Sequence, residues 1–285
     1  MSLFSSPERE LKRRLDMFKA NFLHLISDGH YPPHRQNRLF VWCQKAELDW
    51  DLARQYVARE ADDFLRSQVQ LRANGGALTP EAIAELRNLQ RRLTLSDAQA
   101  LAMRDAYALV ERQLLHDIGT HAAYLSAAPA IEDLHRRIAA YPLPAHISER
   151  LRHLVNQQHA LAKLTSGQLP AVTPSVSLYK NEICHFDAAT SFFAPQQPAR
   201  DSGDGRLLIT SERILLLVST GGYAAPWSRV RFRYEPPNQL LLILAGIELV
   251  THWPDAQYVS TLISAAARRY QGNVVPEPAR PAKRL

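Results

Sequence analysis

Between Pro7 and Ile26 the apolar positions Leu11, Leu15, Phe18, Phe22, Leu25 and Ile26 recur at spacings of three and four with charged residues between them. This is the period of a helix that buries one face. Ser27-Asp28-Gly29 ends the pattern and Pro32-Pro33 prevents its resumption, because proline lacks the N–H that a helix interior needs. A second helix carries Leu39, Phe40, Trp42 and Cys43, and a third runs from about Trp50 through Val57, Phe64 and Leu65 to Leu71, before the connector Asn74-Gly75-Gly76. Thr79-Pro80-Glu81 reads as an N-cap followed by proline at the first helical position, and Ser96-Asp97-Ala98-Gln99 fits a capping box. Two further helices, from about Pro129 to Ala140 and from about Pro144 to Leu164, complete an expected set of seven over residues 8–166.

At Ser166-Gly167-Gln168-Leu169-Pro170 the period changes. Short strands are expected at Val176 to Phe186, Ser191 to Phe193, Gly205 to Val218, Trp227 to Tyr234 and Leu240 to Trp253, separated by Gly, Pro, Asp and Asn. Gly203-Asp204-Gly205 and Gly221-Gly222 read as hairpin turns. Ile214 to Val218 is apolar on both faces, so that strand is covered from both sides. Trp253-Pro254-Asp255 opens a final helix with Val259, Leu262, Ile263 and Ala266 on one side. The expectation is an α+β chain of two domains: an all-α helical bundle over 1–168, a linker over 169–175, an antiparallel β-barrel or sandwich capped by a C-terminal helix over 176–271, and a disordered tail over 272–285.

Two stretches carry family resemblances. Gly205-Arg206-Leu207-Leu208-Ile209-Thr210-Ser211-Glu212-Arg213-Ile214-Leu215-Leu216 is similar to the strand-turn-strand hairpin of GRAM and bacterial pleckstrin-homology (PH)-like domains, with Glu182 to His185 before it and Trp227-Ser228-Arg229-Val230 after it. The N-terminal region resembles TerB-like helical domains through Asp28-Gly29 with the following Pro33 to Gln36 and through Leu95-Ser96-Asp97. The first resemblance implies a binding module. The metal sometimes linked with the second family is not carried over, since the acidic positions are sparse here.

Length and charge narrow the function classes. The chain has 285 residues and a net charge of +6, shared evenly: residues 1–170 hold 22 Lys+Arg against 19 Asp+Glu, and residues 171–285 hold 12 against 9. Neither half is a basic module, so no dedicated nucleic-acid site is expected. Cys43 and Cys184 are far apart in sequence, as expected of reduced thiols, and no apolar h-region follows the N-terminus. A cytoplasmic location is expected.

Catalytic chemistry finds little support. No phosphate-cradling loop and no Gly-x-Ser-x-Gly elbow occurs. His24, His30 and His34 are weak metal candidates, with Pro32-Pro33 between the last two and no HExxH helix or cysteine pair nearby. Asp28-Gly29 lacks the alternating carboxylates of a calcium loop. No cofactor, metal or enzymatic activity is expected. The binding candidates are Trp227, Arg229, Arg231 and Arg233, which strand alternation places on one face, together with Arg206. A solvated sheet face is the plainer account of the same pattern. In the Pro195 to Gly205 loop, Arg200 and neighbouring Arg206 are balanced by Asp201 and Asp204, which counts against phosphoinositide binding.

Three readings follow: an adaptor that binds protein partners or self-associates, a peripheral protein at anionic membrane, and a metal-dependent enzyme built on the three histidines. The first is the one the residues favour.

Overall fold

In the computed structural model, which describes residues 7–73, 75–195, 202–219 and 221–271, the amphipathic pattern of the N-terminal region forms eight α-helices. They are α1 (Pro7–Ile26), α2 (Pro33–Lys45), α3 (Trp50–Tyr56), α4 (Ala58–Arg72), α5 (Pro80–Leu93), α6 (Leu101–His121), α7 (Ala128–Ala140) and α8 (Ala145–Thr165). No helix among the described residues is long and apolar enough to cross a membrane. Residues 7–121 with 132–155 form one compact unit, and residues 122–131 with 156–271 the other.

In the helical unit Leu15, Phe18, Phe22, Leu25 and Ile26 of α1 are buried, as the spacing requires. Thr79 caps α5 by accepting from the Ala82 amide at 3.2 Å. The Ser96 amide donates to Gln99 Oε1 at 3.0 Å, yet α6 begins only at Leu101. Its first turn is capped from outside the sequence neighbourhood: buried Asp62 of α4 accepts from the Ala102 amide at 2.9 Å. The single helix expected from Trp50 to Leu71 is two helices, because Val57 takes φ −105° and ψ 11°, outside the helical range, while its side chain stays buried.

The second unit holds a seven-stranded antiparallel sheet: β1 (Cys184–Phe193), β2 (Ser202–Thr210), β3 (Arg213–Val218), β4 (Gly221–Pro226), β5 (Val230–Glu235), β6 (Gln239–Leu244) and β7 (Ile247–His252), followed by α9 (Ala256–Gln271). The order across the sheet is β4-β3-β2-β1-β7-β6-β5, so two meanders join through the β1–β7 pairing. Among the described residues β4 and β5 are not paired with each other, so the sheet expected as a β-barrel or sandwich is not closed into a barrel. The Val259, Leu262 and Ile263 face of α9 packs in one core with Leu207, Ile209, Ile214, Leu216, Leu240, Leu242 and Leu249. Asp255 caps that helix, accepting from the Tyr258 amide at 3.0 Å. Leu215 and partly buried Leu217, on the opposite face of β3, pack with Leu208, Cys184 and Leu178, so this strand is covered from both sides. The cover on that side is the segment before β1.

Several strand expectations are corrected. Residues 176–183 form bends and a turn, so β1 starts at Cys184. Gly203-Asp204-Gly205 lies inside β2 instead of a turn. Gly205 is needed there for close approach, since a Cβ would come within 2.9 Å of the Leu217 carbonyl oxygen. Gly221-Gly222 opens β4, a strand the alternation does not announce. Trp227–Arg229 is a turn of 3-10 helix. Leu240 to Trp253 is two strands that reverse at Ala245-Gly246, both at positive φ. The tail over 272–285 and part of the Pro195 to Gly205 loop, including Arg200 and Asp201, lie outside the described residues.

Candidate functional site

The binding candidates part company in the structure. Trp227 sits in the 3-10 turn that follows Pro226, 4 % exposed, with its indole N–H donated to the Thr210 carbonyl at 3.1 Å. The turn interrupts strand alternation between Trp227 and β5, which is why the tryptophan is in the core and not on the arginine face. Arg229 lies in the same turn and is exposed. Arg231 and Arg233 are on the outer face of β5, while Val230, Phe232 and Tyr234 pack on the core.

The neighbour of Trp227 is a buried ionic knot. The Glu182 carboxylate, whose side chain is 0 % exposed, accepts from Thr210 Oγ1 at 2.6 Å, from Arg213 Nε at 3.0 Å and Nη2 at 3.1 Å, and from the Tyr179 amide at 3.0 Å. Burial pushes this carboxyl up, but the bonds from Arg213, Thr210 and the Tyr179 amide outweigh it and hold the group below its ordinary value. The Arg213 guanidinium lies 3.8 Å from the centre of the Tyr179 ring. Every charge in this knot is satisfied internally, so it holds the segment before β1 against the β2–β3 corner. It is not free to bind a ligand.

Cross-strand register then defines an outward face. Phe193 of β1 is opposite Val250 of β7, Val250 is opposite Leu241 of β6, and Leu241 is opposite Arg233 of β5. The adjacent row runs Glu248, Ile243, Arg231. Phe193 is 40 % exposed and Val250 and Ile243 are partly exposed, whereas Leu241, in the middle, is 8 % exposed. An apolar centre therefore lies between Glu248 of β7 and Arg231 and Arg233 of β5. Sequence reasoning took in the arginines and missed this centre, although the unbroken Leu240 to Leu244 run, apolar on both faces, carried the signal.

The charges on the face are mostly compensated. Arg233 Nε donates to Glu235 Oε1 at 3.0 Å. Arg206, on the face of β2 that meets the outward side of β1, is ion-paired with Asp187. Burial raises the Asp187 carboxyl, and the opposing bonds from Ser175 and Arg206 bring it below its ordinary value. Among the described residues Arg229 and Arg231 make no ion pair.

The histidine candidates do not gather. His24, His30 and His34 are exposed, and among the described residues no three His, Cys, Asp or Glu side chains are grouped to hold a metal. Asp28 is committed elsewhere: both carboxylate oxygens accept from Arg35, at 2.5 and 2.6 Å, and one also accepts from the His30 amide. A histidine not singled out from sequence is the buried one. His185, 4 % exposed, bonds the Pro170 carbonyl through Nδ1 and the Tyr270 hydroxyl through Nε2 at 2.8 Å. The carbonyl can only accept, so Nδ1 carries the proton and Nε2 accepts from the tyrosine.

No protein-family model and no curated protein matches the sequence. Among solved structures the chain is similar to the activated truncation of Vav1 in its apo form, at 12% identity and TM-score 0.28, covering 90% of this chain and 76% of that one. It is also similar to the linker-DH/PH domains of p115-RhoGEF, at 8% identity and TM-score 0.25, covering 94% and 98%. A third is the DH/PH fragment of PDZRHOGEF in complex with human RhoA, at 10% identity and TM-score 0.26, covering 92% and 90%. Scores of this size do not define a shared fold, and the architecture above rests on strand pairing alone.

Proposed function

We propose that the chain is a non-catalytic adaptor whose residues 176–271 form a PH-like module that docks a protein partner on the outer face of β1, β7, β6 and β5. The module reading is supported by two antiparallel meanders joined through β1 and β7, a C-terminal helix packed on their core, and the Gly205 to Leu216 hairpin. The observation that carries the docking site is the row Phe193, Val250, Leu241 and Arg233, apolar through its first three members and bounded by an arginine already held by Glu235.

This pattern favours protein over membrane. A lipid surface is drawn by uncompensated positive charge, and here Arg233 and Arg206 are each neutralised by a carboxylate. Among the described residues Arg229 and Arg231 make no ion pair, and Arg231 lies beside Ile243. The matching partner surface is an apolar side chain set beside a carboxylate, the apolar group seated on Leu241 and Ile243 and the carboxylate meeting Arg231.

The test compares the wild type with Phe193→Asp combined with Arg231→Glu, in pulldowns from native lysate and in flotation with anionic liposomes at low salt. A stoichiometric partner retained by the wild type and lost by the double variant, with no flotation of either protein, supports the reading. Flotation lost in the double variant would transfer the site to the membrane, and a partner retained equally by both proteins would remove the face from binding.

A further inference from the structure

The helical unit contains a cavity of about 310 Å³, at the lower end of the ~300–1,000 Å³ range typical of ligand sites, lined by several donor-bearing side chains. His30, Tyr31, Gln68, Arg72 and Arg92 supply its polar lining, and among the described residues no carboxylate side chain lines it. Gln68 is 5 % exposed. Its Oε1 accepts from Arg72 Nη1 at 2.8 Å, leaving its amide nitrogen with no hydrogen bond to a described residue. Gly29 keeps the approach to that nitrogen clear: a Cβ there would stand 3.9 Å from it, at a backbone φ of +78° that side chains rarely adopt.

Two further donor-bearing side chains line the cavity. Tyr31 is 6 % exposed, its ring set edge-on to Phe22 with centroids 5.9 Å apart, and its hydroxyl has no partner among the described residues. Burial pushes that phenol up to about 12, so it stays a neutral donor at any physiological pH. Arg92 makes no ion pair or hydrogen bond with a described residue, and its Nε is buried without a partner. Arg72 is oriented by Glu85 at 3.1 Å and by Gln68. Buried donors normally find acceptors. Arg92 Nε, buried without one beside Tyr31, Gln68 and Arg72, marks the place of an acceptor supplied by something else.

We propose that this cavity binds the phosphate group of a small phosphorylated molecule. A phosphate presents three terminal oxygens to the Arg92 fork, the Tyr31 hydroxyl and the Gln68 amide at once, and guanidinium pairs with it bidentately. A phosphate brings about −1.5 to −2 of charge to the Arg72 and Arg92 lining, where a carboxylate brings one. The Asp28 carboxylate of the neighbouring turn cannot compete, since Arg35 and the His30 amide occupy it.

Titration of the full chain with inorganic phosphate, at constant ionic strength against chloride, tests this by calorimetry and by the thermal midpoint. Saturable binding with one site per chain is expected, weakened at least tenfold by Arg92→Gln and several-fold by Tyr31→Phe, and unchanged by Arg112→Gln, which does not line the cavity. Tyr31→Phe keeps the buried ring, so it reads the hydroxyl even if Arg92→Gln fails to fold. Phosphate acting no more strongly than chloride, acetate binding more tightly than phosphate, or affinity unchanged in the variants that fold would each overturn the proposal.

Discussion

The indole N–H of Trp227 donates to the Thr210 carbonyl oxygen at 3.1 Å, while the Thr210 hydroxyl donates to Glu182 Oε1 at 2.6 Å. A residue that strand alternation assigns to an exposed binding stripe is thereby tied to the end of the β2–β3 hairpin, and through it to the segment that covers the outer face of β3.

Glu182 is the centre of that arrangement, and its removal leaves Arg213 and Thr210 with unmet charge and hydrogen bonds in a largely buried place. Breaking a buried pair on one side costs about 3–5 kcal/mol. Glu182→Ala is therefore expected to lower the unfolding free energy by about 3 kcal/mol in urea titrations at pH 7. Since the folded carboxyl lies below its ordinary value of 4.5, the stability it supplies is present above that pH and lost as pH falls through the folded value. Wild type and variant should converge in acid.

Asp62 reaches across from α4 to cap α6 at the Ala102 amide. Asp62→Ala should destabilise the chain by about 1–2 kcal/mol, with amide hydrogen exchange accelerating first at residues 102–104. Uniform acceleration over the whole helical unit would show that the cap does not act locally.

His185 gives a pH dependence of the opposite kind of group with the same direction. Burial, against a smaller opposing effect of the Pro170 carbonyl, holds its pKa below 6.5. The unfolded chain takes up a proton there before the folded chain does, so stability is full above about 6.5 and declines as pH falls below it. The slope contributed by this one group cannot exceed ~1.4 kcal/mol per pH unit. Urea titrations at pH 7.5 and 5.5 should show this loss in the wild type and lack its His185 share in His185→Gln.

Arg231 and Arg233 should respond differently to the same change. Arg231→Glu removes no ion pair with a described residue and is expected to alter stability by less than about 0.5 kcal/mol, whereas Arg233→Glu sets two carboxylates together where Arg233 and Glu235 now pair. Partner binding should be lost in Arg231→Glu even though folding is intact. Thermal midpoints measured beside binding separate the two effects.

Much of the helical part was legible because 3.6-residue periodicity is local: the buried face of α1 and the Thr79 cap are both written in neighbouring residues. What begins α6 was not, since Asp62 stands 40 residues from the amide it caps. In the second unit the two-sided burial of β3 and the apolar face of α9 could be read from composition along the strand and helix. The open ends of the sheet, and the row from Phe193 to Arg233, depend on which strands become neighbours. Pro226 stopping alternation ahead of Trp227 was visible in the sequence, but a 3-10 turn and a kinked strand look alike there. The cavity donors around Tyr31, Gln68 and Arg92 come from separate helices and loops, with no spacing to unite them.

The docking face is the central claim, and a photo-reactive residue placed at Ile243 tests it most directly, with Leu71, 74 % exposed in the helical unit, as the control position. Irradiation in native lysate should give one discrete adduct from position 243 whose formation is abolished by Arg231→Glu, and none of the same mass from position 71. Equal labelling from both positions, or no adduct from position 243, would contradict it.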